Sequence, residues 1–128
     1  MQAISNKPWL KNYPEGVNPT IQFDEYSSLV DMFDKTITRF KSKKAFTNFG
    51  VSFTFDDIYL RSLNLAAFLQ NKLNLSKGSR VAIMMPNLLQ YPISTFGILK
   101  AGLIVGNIFP LYTARELEAQ LFDSQSET

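Results

Sequence analysis

Residues 80–92 read RVAIMMPNLLQYP, and how this stretch is parsed decides the fold of everything around it. Arg80 to Met85 is apolar without alternation, the pattern of a strand covered on both faces in a parallel sheet. Pro86-Asn87 then interrupts the run as a turn that caps a following helix. Pro92 fits only in the first turn of that helix, where its missing N–H costs little. The competing reading is a membrane span, because Val81 to Leu99 carries no charge and is long enough to cross a bilayer. However, Pro86, Asn87, Gln90 and Pro92 in its middle would strand backbone polar groups in hydrocarbon. The stretch is therefore a strand handing over to a helix, and its Pro-Asn turn lies at the strand's carboxyl end, where open α/β sheets gather their ligands. Strand termination and capping is the plainer role for Pro86 and Asn87.

Working downstream, the helix runs from after Asn87 to Ala101, with Lys100 as a cation and Gly102 as a C′ glycine at its end. LIVGNI (103–108) reads as a second buried strand. Thr113 with Glu116 forms a capping box for a last helix that turns Leu117 and Leu121 inward. Upstream, SKGS (76–79) is a turn. Before it, Thr54 and Asp57 make a box-like helix start, and Ile58 or Tyr59, Leu63, Ala66, Leu69 and Leu73 are set to face a core. AFTNF (45–49) and VSFTF (51–55) flank Gly50 and have the composition of a hairpin. From Ser27 or Ser28, Leu29, Phe33, Ile37 and Phe40 recur at helical spacing, with Asp31 in the first turn. Lys41, Lys43 and Lys44 follow as cations near that helix's end. Residues 1–26 form an irregular N-terminal arm punctuated by Pro8, Pro14, Gly16 and Pro19, with Trp9 and Tyr13 as its expected anchors on the body.

The resulting fold class is α/β: a βαβα parallel-strand unit preceded by helix–hairpin–helix, with a right-handed crossover expected between the two parallel strands. A two-strand parallel core is incomplete. Residues 27–128 therefore read as the opening portion of a larger domain, and on their own they are expected to self-associate through open sheet edges.

Composition narrows function mainly by exclusion. The 128 residues carry a net charge of +2, with 45% hydrophobic and 13% aromatic content, so the chain is globular and offers no basic stripe for nucleic acid. With no cysteine and no histidine, it can build neither a thiol nucleophile, nor a Ser-His-Asp triad, nor a histidine-bound zinc site. Its six glycines form neither G-x-G-x-x-G nor G-x-x-x-x-G-K. No secretory signal is visible at the start.

Several stretches, agreeing in order and spacing over nearly the whole chain, resemble a known family. FTFDDI (53–58) is similar to the first core motif of adenylate-forming enzymes, and LKAGLIVGNIFPLY (99–112) to the second. WLKNYPEGV (9–17), VDMF (30–33), RVAIMMPNLLQYPISTFGILKAG (80–102) and PLYTARELEAQL (110–121) resemble bacterial long-chain fatty acid–CoA ligases. The resemblance implies that 27–128 is the first part of an AMP-binding N-terminal domain, truncated before the phosphate loop. It implies a parent enzyme that uses ATP, Mg2+ and coenzyme A to convert a long-chain fatty acid to its acyl-adenylate and then its thioester. The alternatives are another adenylate-forming enzyme (an aryl-CoA ligase, a luciferase-like enzyme, a peptide-synthetase adenylation domain) or a free-standing binding module.

The family's phosphate loop, nucleotide motifs and catalytic lysine all lie beyond Thr128. No catalytic or metal residue is therefore assigned, and the fragment is expected to be inactive and to hold none of these cofactors tightly. Phe109, Pro110 and Leu111 are the candidate contacts, because the corresponding loop borders the coenzyme A channel in some acyl-CoA ligases. Phe109 stands where the family commonly has asparagine, and Gly106 where valine is common. The plainer reading of the same residues is that Pro110 shapes the turn while Phe109 packs in the core. The expected location is cytoplasmic, with peripheral inner-membrane association compatible with a long-chain substrate.

Overall fold

Capping chemistry sets the element boundaries. In the computed structural model, which describes residues 7–21 and 25–126, α1 (Leu29–Phe40) starts where the Ser28 hydroxyl accepts the Asp31 N–H at 3.0 Å. Asp31 returns the favour by accepting the Ser27 N–H at 3.0 Å and the Lys35 ammonium at 2.9 Å. The Ser27 N–H first, then Lys35, hold its carboxyl below the ordinary range. α1 buries Phe33 and Ile37, whereas Leu29, in the first turn, is exposed. Ahead of α1, Pro8–Asn12 forms a 3-10 turn, and Trp9 and Tyr13 are both exposed. The expected aromatic anchors therefore stay outside the core.

The hairpin pairs β1 (Lys44–Asn48) with β2 (Val51–Thr54) in antiparallel register, Asn48 opposite Val51. Its two-residue loop needs positive φ at both positions to match the strand twist. Gly50 at +80° accommodates this freely, and Phe49 is forced to +47° with 93% of its surface exposed. β2 runs directly into α2 (Phe55–Asn71), capped by the reciprocal Thr54–Asp57 box.

The buried stripe of α2 is Ile58, Ser62, Ala66 and Leu69, not the expected Leu63 and Leu73, which are exposed. Ser62 can lie fully buried because its hydroxyl donates to the Ile93 carbonyl at 3.1 Å, a bond that offsets the desolvation of the hydroxyl at this close helix crossing. At the same crossing Gly97 lets α3 approach Leu65 of α2.

β3 (Arg80–Met84) and β4 (Ile104–Ile108) pair in parallel with Val81 opposite Val105 and Ile83 opposite Asn107, as the α/β reading requires. α3 (Gln90–Lys100) connects them, and α4 (Ala114–Ser124) follows behind a Thr113–Glu116 capping box. α3 ends in a Schellman motif: Gly102 at φ +78° donates to Leu99, and Leu103 donates to Ile98 and enters the core. Lys100 does more than face the helix end. Its ammonium, nearly buried, pairs with Asp34 of α1 and sits 4.6 Å from the centre of the Tyr59 ring.

Two buried clusters flank the α2–α3 pair. One joins Ala66, Leu69, Val81, Ile83, Ile98, Ala101 and Leu103. The other joins Phe33, Ile37 and Ile58, with the Phe96 ring stacked on Phe33 at 3.7 Å. Only one face of the β3–β4 pair is closed in this way. On the other, Met84 remains 40% and Ile104 47% exposed, which corrects the expectation of strands covered on both sides. Among the described residues, the approach to that face comes from the end of α4. A Cβ at Gly106 would lie 3.4 Å from the Ser126 hydroxyl, and Ile108 is buried. A small cavity of about 160 Å³ lies against β3, between Leu65, Leu69 and Ile98 and the strand's backbone. Among the described residues no helix is long and apolar enough to cross a membrane.

Candidate functional site

The carboxyl ends of two parallel strands are where an open α/β sheet leaves room for a ligand, because the connections diverge there toward their helices. At the end of β3 the chain turns tightly, with Leu88 N–H donating to the Pro86 carbonyl at 2.8 Å. α3 begins only at Gln90, with Leu89 as its N-cap and no side-chain cap bond. Asn87 therefore does not cap the helix. Its carbonyl instead accepts the Asn48 side-chain amide at 2.9 Å, which ties the hairpin to this loop. Pro92 does fall in the first turn and is buried.

Between the hairpin and the loop lies a cavity of about 260 Å³ walled by Phe46, Asn48, Asn87, Leu89, Tyr91 and Pro92, with Thr47 and Leu88 completing the lining. No charged side chain lines it. Its polar character comes from amides, a hydroxyl and the Tyr91 phenol, so it can hold and orient a group but offers no general acid or base matched to neutral pH. Tyr91 also crosses to β4, its hydroxyl donating to Asn107 Oδ1 at 2.8 Å.

Beyond Asn107 the β4–α4 connection carries the sequence-predicted residues. Phe109 is 56% and Leu111 80% exposed, and Pro110 lies in a turn closed by the Tyr112 N–H donating to the Phe109 carbonyl at 3.2 Å. The turn-shaping role of Pro110 fits this geometry, whereas Phe109 in the core does not. The Phe109 ring meets Tyr112 edge-on at 5.5 Å and otherwise faces out. An adjoining cavity of about 340 Å³ lies along α4 between Tyr112, Glu116, Gln120 and Asp123. The Glu116 carboxylate there is occupied by the cap: the Thr113 hydroxyl and then its N–H hold it below the ordinary range.

The structure thus brings Asn87 together with Tyr91 and Asn48, and places Phe109, Pro110 and Leu111 on a neighbouring turn outside that cavity's lining. Sequence reasoning missed Asn48, Tyr91 and Asn107. A signal existed for the last, a lone amide within the apolar run LIVGNI.

Comparison with known proteins agrees with this architecture. Residues 33–128 match the family model described as AMP-binding enzyme. The chain is 55% identical over 118 residues to a Long-chain-fatty-acid–CoA ligase of Escherichia coli O157:H7, covering 92% of this chain and 21% of that protein. It is 44% identical over 121 residues to the Bacillus subtilis protein of the same name, covering 94% and 21%. The chain thus spans about a fifth of the length of these relatives. Among solved structures it superposes on the Klebsiella oxytoca NpsA N-terminal subdomain with a TM-score of 0.73 at 24% identity, over 77% of this chain and 26% of that one. That likeness is one of fold. With the two core motifs at 53–58 and 99–112 and the parallel pair all falling within the residues that the family model matches, the chain belongs to the AMP-binding enzyme family.

Proposed function

We propose that this chain is part of a ligase that activates long-chain fatty acids with ATP and passes the acyl group to coenzyme A. The observation that carries the reading is the 55% identity over 92% of the chain to proteins named as such ligases. In the first half-reaction a fatty acid carboxylate oxygen attacks the α-phosphorus of ATP. The bond to the bridging oxygen breaks, leaving an acyl-adenylate and pyrophosphate. In the second, the thiol of coenzyme A, losing its proton, attacks the acyl carbon and expels AMP. Mg2+ bound with the nucleotide would offset phosphate charge.

The role of the present residues is to shape rather than to react. The uncharged cavity at the β3 end and the exposed Phe109-Pro110-Leu111 turn supply apolar and amide surface at the sheet's carboxyl edge. We assign the turn to the edge of the coenzyme A channel, where Phe109 and Leu111 would give apolar contact to a passing pantetheine arm. Nucleotide contacts and proton transfers fall to the remaining four-fifths of a relative's length, so the 128-residue chain alone is expected to carry out neither half-reaction.

The test is a graft. This chain replaces the corresponding segment of the Escherichia coli relative, and fatty-acid-dependent ATP–pyrophosphate exchange is measured across a panel of long-chain, short-chain and aromatic acids. Exchange with long-chain acids, and none by the isolated chain, is the expected result. A graft that folds but exchanges only with aromatic or short-chain acids would overturn the long-chain assignment.

A further inference from the structure

We infer that Tyr91 and Asn107 form a latch that positions the β4–α4 turn, making Tyr91 a positioning residue for whatever that turn contacts. The ladder between β3 and β4 ends at the pair Met84–Ile108, and the turn Phe109–Tyr112 begins at once. Phe109 and Leu111 are exposed, so little packing fixes the turn's direction. The Tyr91 hydroxyl, donating to Asn107 Oδ1 at 2.8 Å, is the last side-chain hydrogen bond between the body and this strand before the turn, among the described residues.

Tyr91 is itself held firmly. It stands in the first turn of α3 beside buried Pro92, packs against the larger core cluster, and lines the cavity whose far wall is fixed by Asn48 donating to Asn87. Asn107 lies opposite Ile83 in the register, at the exposed end of their face of the sheet. The latch therefore joins the amino end of α3 to the carboxyl end of β4, the two places from which the site's loops diverge. Occupancy of the cavity beside Tyr91 would reach the turn through this side-chain bond as well as through the strand itself.

The consequence for coenzyme A rests on the proposed ligase reading; the latch itself does not. Both parts can be read separately. In the chain with Trp9, its only tryptophan, replaced by phenylalanine and Phe109→Trp introduced, fluorescence anisotropy reports the turn directly. Tyr91→Phe removes only the hydroxyl and is expected to lower the anisotropy. Asn107→Leu should do the same, Asn107→Asp should keep the acceptor and the anisotropy, and the Tyr91→Phe/Asn107→Leu pair should add nothing further.

In the active ligase carrying this sequence, Tyr91→Phe is expected to raise KM for coenzyme A about three- to tenfold, the scale of one lost hydrogen bond. Unchanged anisotropy in Tyr91→Phe, with circular dichroism showing an intact fold, overturns the latch. An intact latch with unchanged KM for coenzyme A overturns its positioning role. If the unsubstituted enzyme shows no coenzyme A-dependent turnover at all, the ligase reading fails and the anisotropy alone decides the latch.

Discussion

Gly97→Ala is the sharpest test of how the site's platform is held. Gly97 lies in α3 where that helix crosses α2. An added Cβ would meet Leu65 Cδ2 at 2.9 Å, its Cβ at 3.0 Å and its Cγ at 3.1 Å. The Cδ2 contact could be relieved by rotation. The Cβ contact cannot, because Leu65 Cβ is fixed by the α2 backbone, so the helices must separate by a few tenths of an ångström. Two effects then oppose each other. Alanine in a helix interior is favoured over glycine by about 0.8–1 kcal/mol, whereas overpacking a tight contact costs roughly 1–3 kcal/mol. Clash wins here because both core clusters lean on the same α2–α3 pair: Ala66, Leu69 and Ile98 on one side, Ile58 and Phe96 on the other.

The expected result is a net loss of about 1 kcal/mol, read as a lower urea midpoint at unchanged slope. Leu65→Ala, which removes the atoms at 2.9 and 3.1 Å, should then cost less in the Gly97→Ala background than in the parent. A Gly97→Ala chain as stable as the parent, or more so, would refute the close-crossing argument and leave only helix propensity.

Other expectations follow from single features of the fold. Phe49 occupies the left-handed region at a hairpin tip while 93% exposed, a conformation costing about 1–2 kcal/mol for a bulky residue; Phe49→Asn should raise the urea midpoint, and a lowered one would show that the ring contributes stabilising contacts. Asp57 has its carboxyl held below its unperturbed 3.8 by the Thr54 N–H and then the Thr54 hydroxyl. A depressed folded pKa gives stability that is fully present above the unfolded value and lost as pH falls through the folded one. Asp57→Asn should therefore be weaker than the parent at neutral pH and converge with it below pH 3.8; a gap that persists in acid would contradict this. Finally, among the described residues β3 pairs on one edge only, and Met84 at its end lies half-exposed, so sedimentation should show association that rises with concentration and weakens in Met84→Lys. A monomer at every concentration would count against it.

Local chemistry was the legible part of the sequence. Ser28 with Asp31, Thr54 with Asp57, and Thr113 with Glu116 act within three residues, so their meaning does not depend on the rest of the fold, and all three caps formed. The parallel pair was also legible, because RVAIMM and LIVGNI are too uniformly apolar for a solvated hairpin. What the sequence could not show was which partner each side chain would meet. Leu63 looked like core by hydrophobicity, yet the helix phase from Ile58 buries Ser62, and only the Ile93 carbonyl across the crossing makes that possible. Lys100 looked like a helix-end cation, and its actual partner is Asp34, on a different helix. Asn87 looked like a cap because it precedes a helix, but the tight Pro86–Leu88 turn delays the first helical residue to Gln90.

The same distinction separates side chains that fix the architecture from those that face the open edge of the sheet. Several of the ionisable side chains are engaged in architecture. Asp31, Asp57 and Glu116 accept helix-end N–H groups, Asp34 pairs with Lys100, and Asp56 pairs with Lys41. Each such pairing fixes an element end or ties one element to another. Where the sheet opens toward a ligand, the surface is apolar and amide instead: Phe46, Asn48, Asn87, Tyr91, and beyond them Phe109 and Leu111. A surface of that kind acts through shape and through the direction in which its loops leave the sheet. Substitutions in it should therefore alter how substrates are held before they alter the bond-making steps, and the Tyr91–Asn107 bond is the point at which that direction is set.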